Sequence, residues 1–168
     1  GMEQCIRDLR IAQIYEGTNG VQSQDLIGRK TIKCNGEYIA EYVQEIRDFA
    51  NDLDADLNFI KDATLDAAAE VEAVTQYILE AAKENTEFPN SAAVDYLHAV
   101  GLLSFSYMFA RIANAAKDKD GEFYQNKLSL AIYFAQRILP ELSLRITKIK
   151  AGSDIIMNFS EDYFTNQS

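Results

Sequence analysis

The side chains best placed to do chemistry lie in one short turn near the start of the chain. An Arg-rich amphipathic stretch ends at Ile14-Tyr15, and the polar turn Glu16-Gly17-Thr18-Asn19-Gly20 follows it. A second helix is expected from about Val21. Gly17 and Gly20 permit backbone angles that strain other residues, and Thr18 or Asn19 can cap the next helix by accepting from a free amide. Glu16 therefore sits at a helix junction, where a carboxylate can be presented to a ligand. Spacing alone favours the plainer alternative, a helix–turn–helix corner with an exposed glutamate.

Elsewhere the chemical repertoire is sparse. His98, the single histidine, stands among apolar neighbours and reads as a core or interface residue. Cys5 and Cys34 are too few for a disulfide framework and match no zinc spacing, which fits a reducing compartment. Glu37, Glu41, Glu45, Asp48, Asp52 and Asp56 recur at helical spacing; a solvated face explains such a row more simply than a metal or partner site. There is no Glu-x-x-His pair of the kind that binds two metals in some bundles, and no glycine loop that would cradle a phosphate. No metal site is expected. Tyr96, Phe105, Tyr107, Phe109, Tyr124, Tyr133 and Phe134 read as core packing, with the lining of a ligand cavity as the alternative.

The elements around the turn are helical throughout. Apolar residues at Ile39, Tyr42, Val43, Ile46, Phe49, Ala50, Leu53, Leu57 and Ile60 step by three and four, which predicts a first long helix from about Tyr38 to Ile60. A second is expected from about Thr64 to Asn85, with Leu65, Ala68, Val71, Val74, Ile78 and Ala81 inward. Asn90 or Ser91 is expected to cap a third, from about Ala92 to Lys117, which is apolar almost all round between Ala99 and Ala110 and so belongs at a bundle centre or against a partner. After the polar loop 117–121 a fourth runs from about Glu122 to Lys150, with Phe123, Leu128, Ala131, Phe134, Ala135, Ile138, Leu142, Ile146 and Ile149 inward and a kink at Pro140. Beyond Gly152 a short helix and a frayed tail are expected. The fold class is all-α: a four-helix up-down-up-down bundle preceded by a short helix–loop–helix remnant.

Composition narrows the function classes. The chain has 168 residues with 48% hydrophobic and 25% charged side chains, values of an ordinary globular domain rather than a disordered one. Its net charge of -10 opposes binding to nucleic-acid phosphates or anionic lipid. The longest uncharged run, Tyr96 to Ala110, is shorter than the ~20 residues a membrane span requires. Without a signal-peptide pattern the chain is expected in the cytoplasm, and Gly1 before Met2 is read as an expression-tag scar. Residues 1–33 carry four acids and five bases, whereas residues 34–168 carry 22 acids and 11 bases. That step beside Cys34-Asn35-Gly36 suggests a boundary between residues 1–36 and 37–168. Read alone, the second part is a helical interaction or oligomerisation module.

The string Ala12-Gln13-Ile14-Tyr15-Glu16-Gly17-Thr18-Asn19-Gly20-Val21-Gln22 resembles the catalytic-loop signature of the acyl-CoA dehydrogenases, a family of flavoproteins. The resemblance implies α,β-dehydrogenation of an acyl-CoA thioester, with Glu16 as the base that abstracts the α-proton and FAD as hydride acceptor. It places Tyr15 and Gly17 beside the thioester and Thr18, Asn19 and Gly20 toward FAD; some members carry glutamine where this sequence has Gly20. Arg29 resembles an arginine late in the following helix, expected in a structural ion pair. The implied partners are the acyl-CoA, an electron-transfer acceptor and a homo-oligomer. Residues 37–168, including Ala151-Gly152-Ser153-Asp154, resemble the extra C-terminal helical domain of one subgroup. Residues 1–36 then correspond to the end of the catalytic C-terminal domain. The chain is therefore expected to be a C-terminal fragment or truncated product, with FAD bound only in the full-length enzyme and the isolated chain inactive.

Overall fold

The computed structural model describes residues 2–13 and 17–160. Among the described residues every regular element is helical. Helix α1 spans Met2–Arg10 and is followed by one tight turn, Ile11–Gln13; no residue of α1 is buried. Helix α2, Asn19–Gln24, widens without a break into a π-helical stretch, Asp25–Ile32. The bundle follows: α3 (Glu37–Asn51), α4 (Asn58–Glu84), α5 (Phe88–Ala116), α6 (Glu122–Tyr133) and α7 (Glu141–Lys150), with a last short helix α8 (Asp154–Met157). Helices α6 and α7 together form the fourth leg of the up-down-up-down bundle. No helix among the described residues is long and apolar enough to cross a membrane.

Helix α5 is the axis, packing against α2, α3, α4, α6 and α7. The larger core cluster joins Val43 and Ile46 of α3, Ala68 and Val71 of α4, Leu103 and Tyr107 of α5, and Phe134 and Leu142 of the fourth leg. A second cluster brings Ile27 against Val74, Ile78, Ala92, Tyr96 and Ile149, so the segment before α3 shares its core with the bundle. The reversal into α3 is made by Asn35 (φ 49) and Gly36 (φ 79). Gly36 is buried, and a Cβ there would stand 3.0 Å from Leu79 Cδ1, so both conformation and space favour glycine.

Several element ends differ from the expected ones, each for a local reason. The first long helix stops at Asn51, and Ile60 belongs to α4, which starts before the expected Thr64. The three- and four-residue apolar rhythm runs through the break, because Leu53 and Leu57 both point into the core from the intervening turns. Lys61 donates to the carbonyls of Asn51 and Leu53 at 3.0 and 3.2 Å, satisfying acceptors that the end of α3 leaves open. Helix α5 begins at Phe88, not at Ala92. Pro89 fits its first turn, where a missing amide costs nothing, and the Asn85 side chain accepts from the Glu87 amide, so neither Asn90 nor Ser91 is the cap.

At Pro140 the expected kink is a division. The chain widens to a π turn over Phe134–Ile138, with the Leu139 amide donating to Phe134, and α7 then starts after the proline. The wide turn accommodates a ring that would collide with a regular preceding turn. Phe123, Phe105 and Tyr133 are exposed rather than inward, and His98 is exposed rather than a core residue. The remaining aromatics do pack: Phe109 stacks on Phe134 at 4.6 Å, and Tyr107 meets Phe49 edge-on at 5.3 Å.

Candidate functional site

The turn singled out in the sequence follows α1, which has no buried residue, and leads into α2. Ile14, Tyr15 and Glu16 lie outside the described residues; Gly17 to Gly20 lead into α2. Thr18 is the cap of α2, its backbone extended (φ -56, ψ 135), with Oγ1 accepting from the Val21 amide at 3.4 Å and its carbonyl accepting from Gln22 at 3.1 Å. This capping role agrees with expectation, but the helix starts at Asn19, two residues before Val21. Gly20 is therefore helical and does not use the conformational freedom glycine offers. A Cβ at Gly17 would fall on the Gln22 side-chain amide, so the turn and the first turn of α2 lie close together.

What fixes the far end of this turn is burial along α2. Ser23 is fully buried, and its hydroxyl donates to the Gly20 carbonyl at 2.8 Å. Ile27 is buried in the second core cluster, and the Thr31 hydroxyl donates to the Leu26 carbonyl at 3.0 Å and lies 3.4 Å from the Tyr96 hydroxyl. Tyr96 in turn bonds Thr75 of α4 at 2.9 Å, and Thr75 donates to Val71 at 2.7 Å. Burial raises the Tyr96 pKa, with the bonds to Thr31 and Thr75 opposing the rise. Three hydroxyls on three elements thus tie the segment to the bundle. No periodicity rule reveals this tie, because Thr31, Thr75 and Tyr96 are far apart in the sequence.

Thr18, Asn19 and Gly20 are exposed on the outer side of α2, and a Cβ on Gly20 would meet nothing within 4 Å. Beside Gly20 lies an open cleft of about 330 Å³ lined also by Val21, Gln24, Asp25 and Arg29. A hydroxyl, a carboxamide and an unobstructed glycine suit the polar edge of a large planar cofactor such as FAD. Arg29 pairs with Asp25 at 3.3 Å, one helical turn away, but its side chain is 81% exposed, so the pair adds little to stability. The i, i+4 spacing makes that partner visible in the sequence. Among the described residues no group of His, Cys, Asp or Glu could hold a metal ion.

The acidic residues of α3, Glu37, Glu41, Glu45 and Asp48, are all exposed, and one of them also joins two helices. Glu45 accepts from the Tyr107 hydroxyl at 3.0 Å, and Tyr107 accepts from Arg111 at 3.1 Å. Removal from water and the Glu45 carboxylate both raise the Tyr107 pKa. Asp95 and Arg145 join α5 to α7 at 3.0 Å. These contacts hold helices together and present no group to a cavity.

The family described as "Acetyl-CoA dehydrogenase C-terminal like" matches residues 42–160. A 3-methylmercaptopropionyl-CoA dehydrogenase of Ruegeria pomeroyi is 30% identical over 95% of this chain. The broad-specificity linear acyl-CoA dehydrogenase FadE5 of Mycobacterium tuberculosis is 28% identical over 97% of it. A butyryl-CoA dehydrogenase of Syntrophomonas wolfei is 26% identical over 94%. The chain spans 29% of the length of the first two relatives and 28% of the third.

Proposed function

The chain belongs to the acyl-CoA dehydrogenase family, in its C-terminal region, and on that premise we propose that it serves the α,β-dehydrogenation of an acyl-CoA thioester with Glu16 as the base. The observation that carries this reading is the unbroken string from Ala12 to Gln22, whose glutamate immediately precedes the Gly17-Thr18 entry to α2. Residues 1–36 then complete the catalytic C-terminal domain, and residues 37–168 are the additional helical domain.

Glu16 takes the α-proton. To do so it must be ionised at neutral pH yet close to an apolar acyl chain, and partial removal from water raises a glutamate above its reference pKa of ~4.3 toward a useful base. Tyr15 and Gly17 flank the thioester; the small residue at 17 keeps the carboxylate's approach clear. Thr18, Asn19 and Gly20 would hold the polar edge of FAD, which would supply a hydride acceptor for the β-hydrogen and a route for electrons to an electron-transfer acceptor. Proton and hydride must leave across one carbon–carbon bond, so the turn has to be held still. The burial of Ser23, Ile27 and Thr31 supplies that rigidity at its α2 end.

On this reading the 168-residue chain by itself, 29% of the length of the first two relatives, neither binds FAD nor turns over substrate. The test is made in the full-length parent. Glu16→Gln leaves the bound-flavin spectrum intact and slows acyl-CoA-dependent bleaching by roughly 10²–10⁴-fold, the usual share of a general base. Bleaching at the unmodified rate removes Glu16 from the role. A bound-flavin spectrum from the 168-residue chain with stoichiometric FAD overturns the statement about the isolated chain.

A further inference from the structure

The π-helical stretch Asp25–Ile32 stands between the Glu16 turn and the bundle, and its width requires a cause. Helices of this kind are rare and mostly confined to a single turn. Here eight residues keep the wide form, with the Lys33 amide donating to the Gly28 carbonyl at 3.0 Å at its end. Burial against the bundle selects it. Leu26, Ile27 and Ile32 all pack in the second core cluster, and Thr31 is fully buried. The pairs Leu26–Thr31 and Ile27–Ile32 are each five residues apart. At 3.6 residues per turn an α-helix would splay such pairs by about 140°, whereas an i→i+5 helix draws them toward one face. Side chains close the same spacing. The Thr31 hydroxyl donates to the Leu26 carbonyl at 3.0 Å, and Cys34 Sγ lies 3.4 Å from the Arg29 carbonyl.

Counting protons shows which bond holds this register. A hydroxyl has one proton to give. Thr75 gives its own to the Val71 carbonyl at 2.7 Å, so Tyr96 donates to Thr75 across their 2.9 Å contact. Thr31 gives its proton to Leu26, which leaves the longer 3.4 Å approach to Tyr96 as a weaker polar contact. The buried Tyr96 ring therefore walls in the Thr31–Leu26 bond and keeps water from competing for it. We propose that Thr31 is a positioning residue for the base: holding Asp25–Ile32 in the wide register against α4 and α5, it sets the angle at which α2 presents Thr18–Gly20 and the Glu16 before them. Tightening the stretch to α pitch would turn α2 about its axis relative to the bundle. Ser23 is the single buried residue of α2, so the following stretch has to fix that angle. The bundle in this way serves the chemistry without touching substrate. The catalytic part of the inference rests on the proposed role of Glu16; the lock on the register does not.

Two measurements test it. In the 168-residue chain with Cys5 and Cys34 changed to Ser, spin labels are attached at Val21→Cys on α2 and Ala69→Cys on α4, both exposed positions. Thr31→Val keeps the side-chain shape and loses the hydroxyl, and it shifts the label–label distance read by double electron–electron resonance. Thr31→Ser, which keeps the hydroxyl, leaves the distance in place; Thr31→Ala repeats the shift if the valine variant does not fold. In the full-length parent, Thr31→Val retains bound flavin and KM but lowers kcat per flavin roughly 10–10²-fold, since a misplacement of about 1 Å can cost that much. It also raises the isotope effect of an α-deuterated acyl-CoA, and Thr31→Ser restores both values. Lost stability alone lowers the active fraction without moving the isotope effect. An unchanged distance overturns the lock. An unchanged kcat and isotope effect, in a parent that Glu16→Gln does slow, overturns the positioning role alone. Bleaching retained in Glu16→Gln while Thr31→Val still shifts the distance removes the base and leaves the lock standing.

Discussion

On the two sides of Gly36 the chain uses its residues in opposite ways. Before it, the polypeptide carries its one recognisable chemical string and buries little: Met2, Ile6, Leu9 and Ile11 are all exposed. After it, apolar residues are buried in three clusters, and among the described residues no group of His, Cys, Asp or Glu could hold a metal ion. The segment 19–32 joins the two regimes through Ile27 and Thr31. On the proposed reading, a turn that presents a base must remain reachable, and the buried residues Ser23, Ile27 and Thr31 support it from one side. A bundle that only packs has no such constraint.

The largest expected effect lies in the packed region. Ile46 is fully buried in the main core cluster, between α3 and its neighbours. Ile46→Ala removes methyl groups that the surroundings cannot replace, and such cuts cost about 2–5 kcal/mol. Urea denaturation followed by circular dichroism measures it. A loss below about 1 kcal/mol would break the contrast, since it would mean that the bundle repacks freely.

Tyr96→Phe tests the joint between the regions and is expected to have an intermediate effect. The substitution keeps the ring and deletes the hydroxyl between Thr31 and Thr75, which keep their bonds to Leu26 and Val71, so the cost is that of a typical net hydrogen bond, about 0.5–1.5 kcal/mol. It also changes the alkaline limb of stability. Burial raises the folded-state pKa of Tyr96 above the ordinary tyrosine value of 10.0, so this group favours folding fully below pH 10.0, and its contribution is lost as pH rises from there through the folded-state pKa. Stability measured from pH 7 to 11 therefore falls less steeply in the phenylalanine variant. Tyr107, also raised, keeps some slope in both. An unchanged slope would detach Tyr96 from the alkaline transition.

These elements also show what the sequence discloses. The bundle is legible because burial imposes a period: Val43, Ile46, Ala68, Val71, Ala131 and Leu142 are inward as their spacing predicts. The same rule misplaces the α3–α4 break, because Leu53 and Leu57 keep the rhythm through non-helical turns. It also counts Phe105 and Phe123 as core, since a second apolar face looks like a continuation of the first. Thr18 as a cap is legible from local chemistry. The role of Glu16 is not a matter of periodicity at all; an exposed corner and a base-bearing turn have the same spacing, and only the likeness of a whole string separates them. The Thr31–Tyr96–Thr75 tie is invisible because tertiary contact between distant residues leaves no local pattern.

The smallest effect is expected at Leu9, and its smallness is informative. Helix α1 has nine residues, shorter than an isolated helix needs for stability in water. Its ion pair between Glu3 and Arg7 is exposed and adds little. Its apolar residues Met2, Ile6 and Leu9 nevertheless lie on one face, an arrangement that water gives no reason to keep. In the 168-residue chain, Leu9→Ser should change unfolding free energy by less than ~0.5 kcal/mol, the range of surface substitutions. In a full-length parent where further helices cover that face, the same change should cost ~2 kcal/mol or more, as loss of a buried leucine does. Equal effects in the two settings would mean that α1 is either packed already or never covered. Either outcome would remove the reason for treating the region before Gly36 as the exposed flank of a larger catalytic domain.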